Sequence, residues 1–119
     1  KSVISQDYPD LEYIIIDGAS QDGTLDIVNK YQTKIKTIVS ESDKGIFDAM
    51  NKSLKYITGY YVLFLNAGDK LVTPHIVSDI FGKQEHHEDL IYGDVYMDKV
   101  VNYVRGTAEL REKTFRALL

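Results

Sequence analysis

The 119-residue chain is 44% hydrophobic and 27% charged, the composition of an ordinary folded domain long enough to bury a core without staples. Fourteen Lys and Arg against eighteen Asp and Glu leave a net charge of −4, which argues against the broad basic surface of a nucleic-acid binder, so no nucleic-acid partner is expected. The absence of Cys excludes disulfides and thiolate metal sites, and no run approaches the roughly 18 apolar residues of a membrane span.

Residues 1–6 read as the last turn or two of a helix, stopped at Asp7-Tyr8-Pro9-Asp10 because Pro disfavours helix at the residue before it. Residues 12–17 (EYIIID) are a β-branched apolar run, the mark of a strand buried on both faces. A loop of small and helix-capping residues, Asp17 to Thr24, follows. Leu25, Ile27, Val28 and Tyr31 then recur at helical spacing, predicting a helix from Thr24 to about Lys34. Residues 36–40 (KTIVS) predict a second strand. After the polar stretch 41–45, a helix is expected over about 46–57 with Phe47, Met50, Leu54 and Ile57 on its core face, stopped by Gly59.

Residues 60–65 (YYVLFL) are the most apolar run and predict a central strand ending in Asn66-Ala67-Gly68-Asp69. A helix over about 74–81 is expected next, with Thr73 as its cap and Pro74 at its first position. His86 to Asp89 read as a polar, solvated connection. Strands are expected over 90–95 and 100–104, and a helix over 109–119. Strands alternating with helices predict an α/β domain with a mainly parallel sheet and helices on both faces. A chain that opens in a helix's last turn implies an upstream strand, and the close inside a helix implies truncation there too. Residues 1–119 are therefore expected to be a single partial domain. An incomplete sheet exposes an unpaired edge, so self-association is also expected.

In open parallel sheets, ligands bind outside the carboxyl ends of the strands. Asp17, Asp43 and Asp69 follow three successive predicted strands, and the β-α-β repeat should bring all three to one rim. Each has a plainer reading: Asp17 bracing its turn, Asp43 capping the next helix, Asp69 filling a turn. Carboxylates placed together at such a rim can accept hydrogen bonds from a ribose or a base edge, or hold a hard cation on a diphosphate. Gly18, Gly23, Gly45 and Gly68 suit tight turns and close approach of the backbone to a ligand. No phosphate-loop Lys motif and no G-x-G-x-x-G occurs, which disfavours P-loop and dinucleotide-binding folds.

The stretches Ser2 to Gln6 and Glu12 to Thr24, Glu41-Ser-Asp43-Lys44-Gly45-Ile-Phe-Asp48-Ala-Met-Asn51-Lys, and Tyr61-Val-Leu-Phe-Leu-Asn66-Ala-Gly-Asp69 resemble, in order and spacing, a family 2 glycosyltransferase. Ile91-Tyr92-Gly93-Asp94-Val95 is similar to members that build bacterial surface polysaccharides. The resemblance implies a GT-A fold, a Rossmann-like nucleotide-sugar-binding sheet joined to an acceptor-binding part. It implies that Asp17 and Asp43 contact the uracil and ribose of a nucleotide-sugar donor, and that Asp69 ligates Mn²⁺ or Mg²⁺ on its diphosphate. Ser20, Lys44, Gly45, Asp48 and Asp94 are further donor-site candidates. Asn51 is expected to tie its helix to a loop, and Asp22 and Thr24 to cap theirs.

Two departures stand out. Gly18 follows Asp17 where many members have a second Asp, and Gly68 precedes Asp69 where many have a second acidic residue. The first strand of the family should precede Lys1, and the catalytic base should lie beyond Leu119, so the fragment alone is expected to be inactive. The implied reaction is inverting sugar transfer from a UDP-sugar to a glycan or lipid-linked acceptor, in the cytoplasm or at the inner face of the membrane. Rivals are a non-catalytic nucleotide-binding domain and a sugar nucleotidyltransferase.

Overall fold

The structure, a computed structural model, describes residues 1–93. Its elements are β1 (Ile14–Asp17), α1 (Thr24–Asn29), a 3₁₀ turn (Gln32–Lys34), β2 (Thr37–Ser40), α2 (Ile46–Ser53) and α3 (Ile76–Phe81). β1 and β2 pair in parallel, from Ile14 opposite Thr37 to Asp17 opposite Ser40. A parallel pair needs a crossover, and α1 with its 3₁₀ turn supplies it. α2 then packs on β1. This β-α-β-α unit is the expected α/β architecture in small form.

The helices are shorter than their apolar periodicity predicts, and each end has a local cause. After α1 the chain tightens, Lys34 N–H bonding Tyr31 O at 2.8 Å, and the tighter turn delivers Ile35 to the core. α2 closes in a turn in which Tyr56 N–H bonds Ser53 O at 2.9 Å, well before Gly59. α3 begins at Ile76 instead of Pro74, because Thr73 Oγ1 takes the His75 N–H at 3.3 Å and holds the preceding residues in a turn.

Residues 61–65 depart further from expectation. They are not a strand: among the described residues no neighbour forms a ladder with them, and composition alone does not make a sheet. Residues 90–93 likewise carry no ladder. The remainder of the predicted 90–95 strand, the 100–104 strand and the 109–119 helix lie outside the described residues.

The core is small. Ile35 and Val77 are its buried apolar residues, and among the described residues no large side chain is fully enclosed. α2 does not turn its predicted face inward: Phe47 is 77% and Leu54 54% exposed, while Ser53 is buried and Ala49 and Met50 half-buried. Small side chains let this short helix approach the sheet closely, and Phe47 is left outside.

Two polar fastenings hold the frame. Gln6 donates to Ser2 O (3.0 Å) and Thr73 O (2.7 Å) and accepts from Val77 N–H (3.2 Å), so one side chain pins the first turn of the chain to the start of α3. Near the amino ends of the strands, Glu12 binds both the Lys36 ammonium and the Thr58 hydroxyl and accepts Thr58 N–H at 3.1 Å. These bonds hold the Glu12 carboxyl down at about 2, Lys36 being the largest influence. They join both strands to the segment after α2, at the end of the sheet opposite the predicted site.

Candidate functional site

The site is built where β1 and β2 end. Asp17 closes β1 and is buried, at 6% exposure. Its Oδ2 accepts Ser20 N–H at 3.0 Å and the Ser40 hydroxyl at 2.7 Å, and its carbonyl accepts Glu41 N–H at 3.0 Å. Hydrogen bonds from Ser20 and Ser40 outweigh burial and hold the carboxyl below the ordinary range, with the amides of Ser20 and Ala19 helping. Asp17 is therefore a buried, ionised carboxylate. The turn that wraps it forces Ala19 to φ 63, a region that non-glycine residues seldom enter and a small store of strain.

The second carboxylate comes from the loop after β2. A Cβ added to Gly18 would lie 2.7 Å from Asp43 Oδ2, so the Asp43 side chain rests against the bare Gly18 backbone, next to Asp17 in the chain. Asp43 Oδ1 accepts Gly45 N–H at 2.9 Å, a side-chain turn that brings the chain to the start of α2. Gly45 sits there at φ 111, which only glycine adopts without strain. Asp48 Oδ2 reaches back to accept Lys44 N–H at 3.0 Å, in the manner of a capping box, and this backbone bond is the chief reason its carboxyl titrates low. Asp43 and Asp48 thus shape the loop as well as presenting charge. The Lys44 side chain is exposed and has no ion pair among the described residues.

Ser20 contributes its amide to Asp17 and lines a shallow, open depression of about 250 Å³ with Gln21, Gly23, Leu25 and Asp26. Asp22 bonds the first residue of α1, its Oδ1 accepting Thr24 N–H at 3.1 Å and the Thr24 hydroxyl at 2.6 Å, but the cap position itself is Gly23, at φ 84, and Thr24 lies inside the helix, its hydroxyl donating to Asp22 instead of capping.

Asp69 sits in its own turn, where its N–H bonds Asn66 O at 3.0 Å and Gly68 takes φ 96. Its side chain is exposed. Among the described residues no three His, Cys, Asp or Glu side chains are gathered to hold a metal ion. The donor set here fits Mg²⁺ or Mn²⁺ only if phosphate oxygens and water complete the shell around one carboxylate, the usual way Mg²⁺ is held beside a diphosphate. Asp94 lies outside the described residues.

Three details escaped the sequence reading. Asn51 is exposed, and it is the next residue that ties helix to loop: Lys52 Nζ donates to Ser42 O at 2.7 Å and lies 3.1 Å from Glu41 Oε1 and 3.4 Å from Asp48 Oδ2. Burial works against the Lys52 charge, but Glu41 and Asp48 outweigh it and hold the ammonium above its ordinary range. The i,i+4 spacing of Asp48 and Lys52 was the available signal. His86 is not solvated. Its side chain is 10% exposed, with Nε2 2.7 Å from Ile80 O, Nδ1 3.1 Å from Glu88 Oε2, and its ring edge-on to Phe81 at 5.4 Å. Phe81 also meets Tyr8 and Tyr61, an aromatic cluster that the polar sequence around His86 conceals.

A parallel strand-helix-strand unit with a buried carboxylate at its carboxyl rim, and with the Asp43 side chain resting against the neighbouring Gly18, is a Rossmann-like α/β arrangement, the class in which ligands bind at that rim. The sequence profile of glycosyl transferase family 2 matches residues 1–118, and the chain belongs to that family, whose fold is of the GT-A type. The chain is 37% identical over 101 residues to a PGL/p-HBAD biosynthesis glycosyltransferase of Mycobacterium tuberculosis, covering 81% of this chain and 40% of that protein. It is 35% identical over 100 residues to the Escherichia coli UDP-Glc:alpha-D-GlcNAc-diphosphoundecaprenol beta-1,3-glucosyltransferase WfaP, covering 83% and 40%. It is also 32% identical over 95 residues to the Staphylococcus aureus poly(ribitol-phosphate) beta-N-acetylglucosaminyltransferase TarS, covering 76% and 17%. The match thus spans well under half the length of each of these relatives. No solved structure matches the chain. Among the described residues no helix is long and apolar enough to cross a membrane.

Proposed function

We propose that the intact protein transfers a sugar from a UDP-sugar to a glycan or lipid-linked acceptor with inversion, in surface polysaccharide synthesis, and that this chain forms its donor-binding half. The observation that carries the reading is the seating of Asp43 against Gly18 beside the buried Asp17. One strand end and one loop thereby present two carboxylates to a common ligand. Family membership supports the transferase class, and the printed name of the Escherichia coli relative supports a UDP-sugar.

In this reading Asp43 accepts hydrogen bonds from the ribose or the uracil N–H. Asp17, with one oxygen held by Ser20 and Ser40, keeps lone-pair capacity for a second such bond. Gly45 lets the backbone approach the donor, and Lys44, Ser20 and Asp48 lie around the same loops on the diphosphate and sugar side. Asp69 would hold Mn²⁺ or Mg²⁺, which offsets the negative charge that grows on the departing diphosphate. The acceptor hydroxyl is deprotonated by a carboxylate that is not among these donor-site residues. Because the match spans 40% of the Mycobacterium tuberculosis relative, residues 1–119 alone are read as having little transferase activity and as self-associating through exposed apolar side chains such as Phe47 and Val72. In this reading the enzyme works in the cytoplasm, with a lipid-linked acceptor at the inner face of the membrane.

Calorimetric titration of the intact protein with UDP, with and without Mn²⁺, tests the reading. Binding that Mn²⁺ strengthens, and that Asp69→Ala makes insensitive to Mn²⁺, supports it. No heat of UDP binding under either condition rejects it.

A further inference from the structure

We propose that Lys52 is a positioning residue of the donor site, holding the segment from Glu41 to Asp48 so that the Asp43 carboxylate stays seated against Gly18. This rests on the donor-site reading above. The three groups around Lys52 Nζ straddle Asp43 in the chain: Glu41 and the Ser42 carbonyl before it, Asp48 after it. Fixing both flanks leaves the Asp43-Lys44-Gly45 turn little freedom, and its own bonds, Gly45 N–H to Asp43 and Lys44 N–H to Asp48, close it.

The contrast with Lys83 shows that this is more than a surface ion pair. Lys83 pairs with Asp79 at the same i,i+4 spacing, but its side chain is 74% exposed and that carboxylate is its partner. The Lys52 side chain is 19% exposed, and its shortest contact, 2.7 Å, is to a backbone carbonyl of the loop. A lysine bound to the backbone fixes the path of the chain, which exposed charge pairing does not. The same ammonium also offsets the mutual repulsion of Glu41 and Asp48, which flank Asp43. Lys52 touches no donor atom in this account; it acts through Asp43.

The test uses the intact protein and its Lys52→Met, Lys52→Arg, Glu41→Gln and Asp43→Ala variants, with UDP and Mn²⁺ as probe. Lys52→Met is expected to weaken UDP binding about tenfold, the loss of one charge-assisted anchor. Lys52→Arg, which keeps the charge and the donors, recovers most of it. In turnover assays Lys52→Met raises the donor KM and leaves kcat at saturating donor near wild type, a split that a general loss of stability does not produce. Amide exchange at Lys44 and Gly45 quickens while that of Ile14 to Asp17 does not. Should Lys52→Met fail to fold, Glu41→Gln removes one arm of the clamp from a half-exposed side chain and is read by the same exchange. Wild-type affinity and unchanged exchange at Gly45 in these variants, while Asp43→Ala loses UDP, overturns the positioning role and leaves the donor site standing. Failure of the wild-type protein to bind UDP overturns both.

Discussion

The Asp43 carboxylate occupies the space in which a side chain at Gly18 would begin, with its Oδ2 2.7 Å from where that Cβ would lie. Glycine at 18 is therefore fitted to aspartate at 43. Any side chain at 18 and this seating of Asp43 do not fit together without movement.

Gly18→Ala tests that fit. The clashing atom is the end of a side chain that can rotate away, and Gly18 is not in the left-handed region, so the fold should change in stability by no more than about 1 kcal/mol. The displaced carboxylate should lose its contact with donor, and UDP affinity should fall about tenfold. Thermal unfolding together with calorimetry on the same sample separates the two effects. Equal UDP affinity in the variant means that Asp43 is not seated to bind it.

Ser40→Ala removes the hydroxyl that Asp17 Oδ2 accepts at 2.7 Å, leaving the Ser20 amide. A destabilisation of about 1 kcal/mol is expected. The Asp17 carboxyl, held low in the folded protein, contributes stability above its unfolded value that disappears as pH falls through its folded value. The variant raises that folded value, so it should lose less stability between neutral and acid pH than the wild type. Urea unfolding at two pH values, with the Asp17 carboxyl followed by carbon NMR, gives both numbers.

Glu12 gives a second acid signature at the other end of the sheet. Lys36 and Thr58 hold its carboxyl at about 2 against an ordinary 4.5. Its stabilising contribution is complete above about 4.5 and is lost as pH falls toward 2. Glu12→Gln should have a lower melting temperature than wild type near neutrality, and the difference should shrink in acid across that window. A constant gap between the two melting curves at all pH values contradicts the lock.

His86 titrates in the opposite sense. Both of its ring nitrogens face oxygen acceptors, Ile80 O and Glu88 Oε2, and the doubly protonated ring satisfies both. The Ile80 carbonyl is the main cause of its raised value, and Glu88 adds to it against burial. The stabilisation is present below the unfolded value and is lost as pH rises through the folded one. Proton NMR should show Glu88→Gln lowering the His86 midpoint. An unmoved midpoint places Glu88 away from the ring.

β1 and β2 were legible because EYIIID and KTIVS are apolar runs bounded by breakers, and the pair is held by its own short crossover. Asp17 and Asp43 were legible from the ends of those two strands, and Asp43 lies against Gly18, the residue after Asp17, whereas Asp69 sits in a turn that no strand precedes among the described residues after β2. The 60–65 run misled because a strand needs a paired neighbour, which composition does not reveal. Phe47 misled because helical periodicity marks a stripe but not what lies against it, and α2 meets β1 with its small side chains. Lys52 and His86 were hidden for a related reason. Polar residues declare their partners only once the loops that carry those partners have been placed.

Mapping UDP onto the intact protein by amide NMR, with Mg²⁺ as the diamagnetic ion, tests the central claim most directly. The account predicts that the largest shift changes fall on Asp17 to Ser20 and Asp43 to Gly45, with Asp69 responding when the ion is added. Changes that leave those two loops untouched and gather elsewhere, such as at the Phe81–His86 cluster, contradict it.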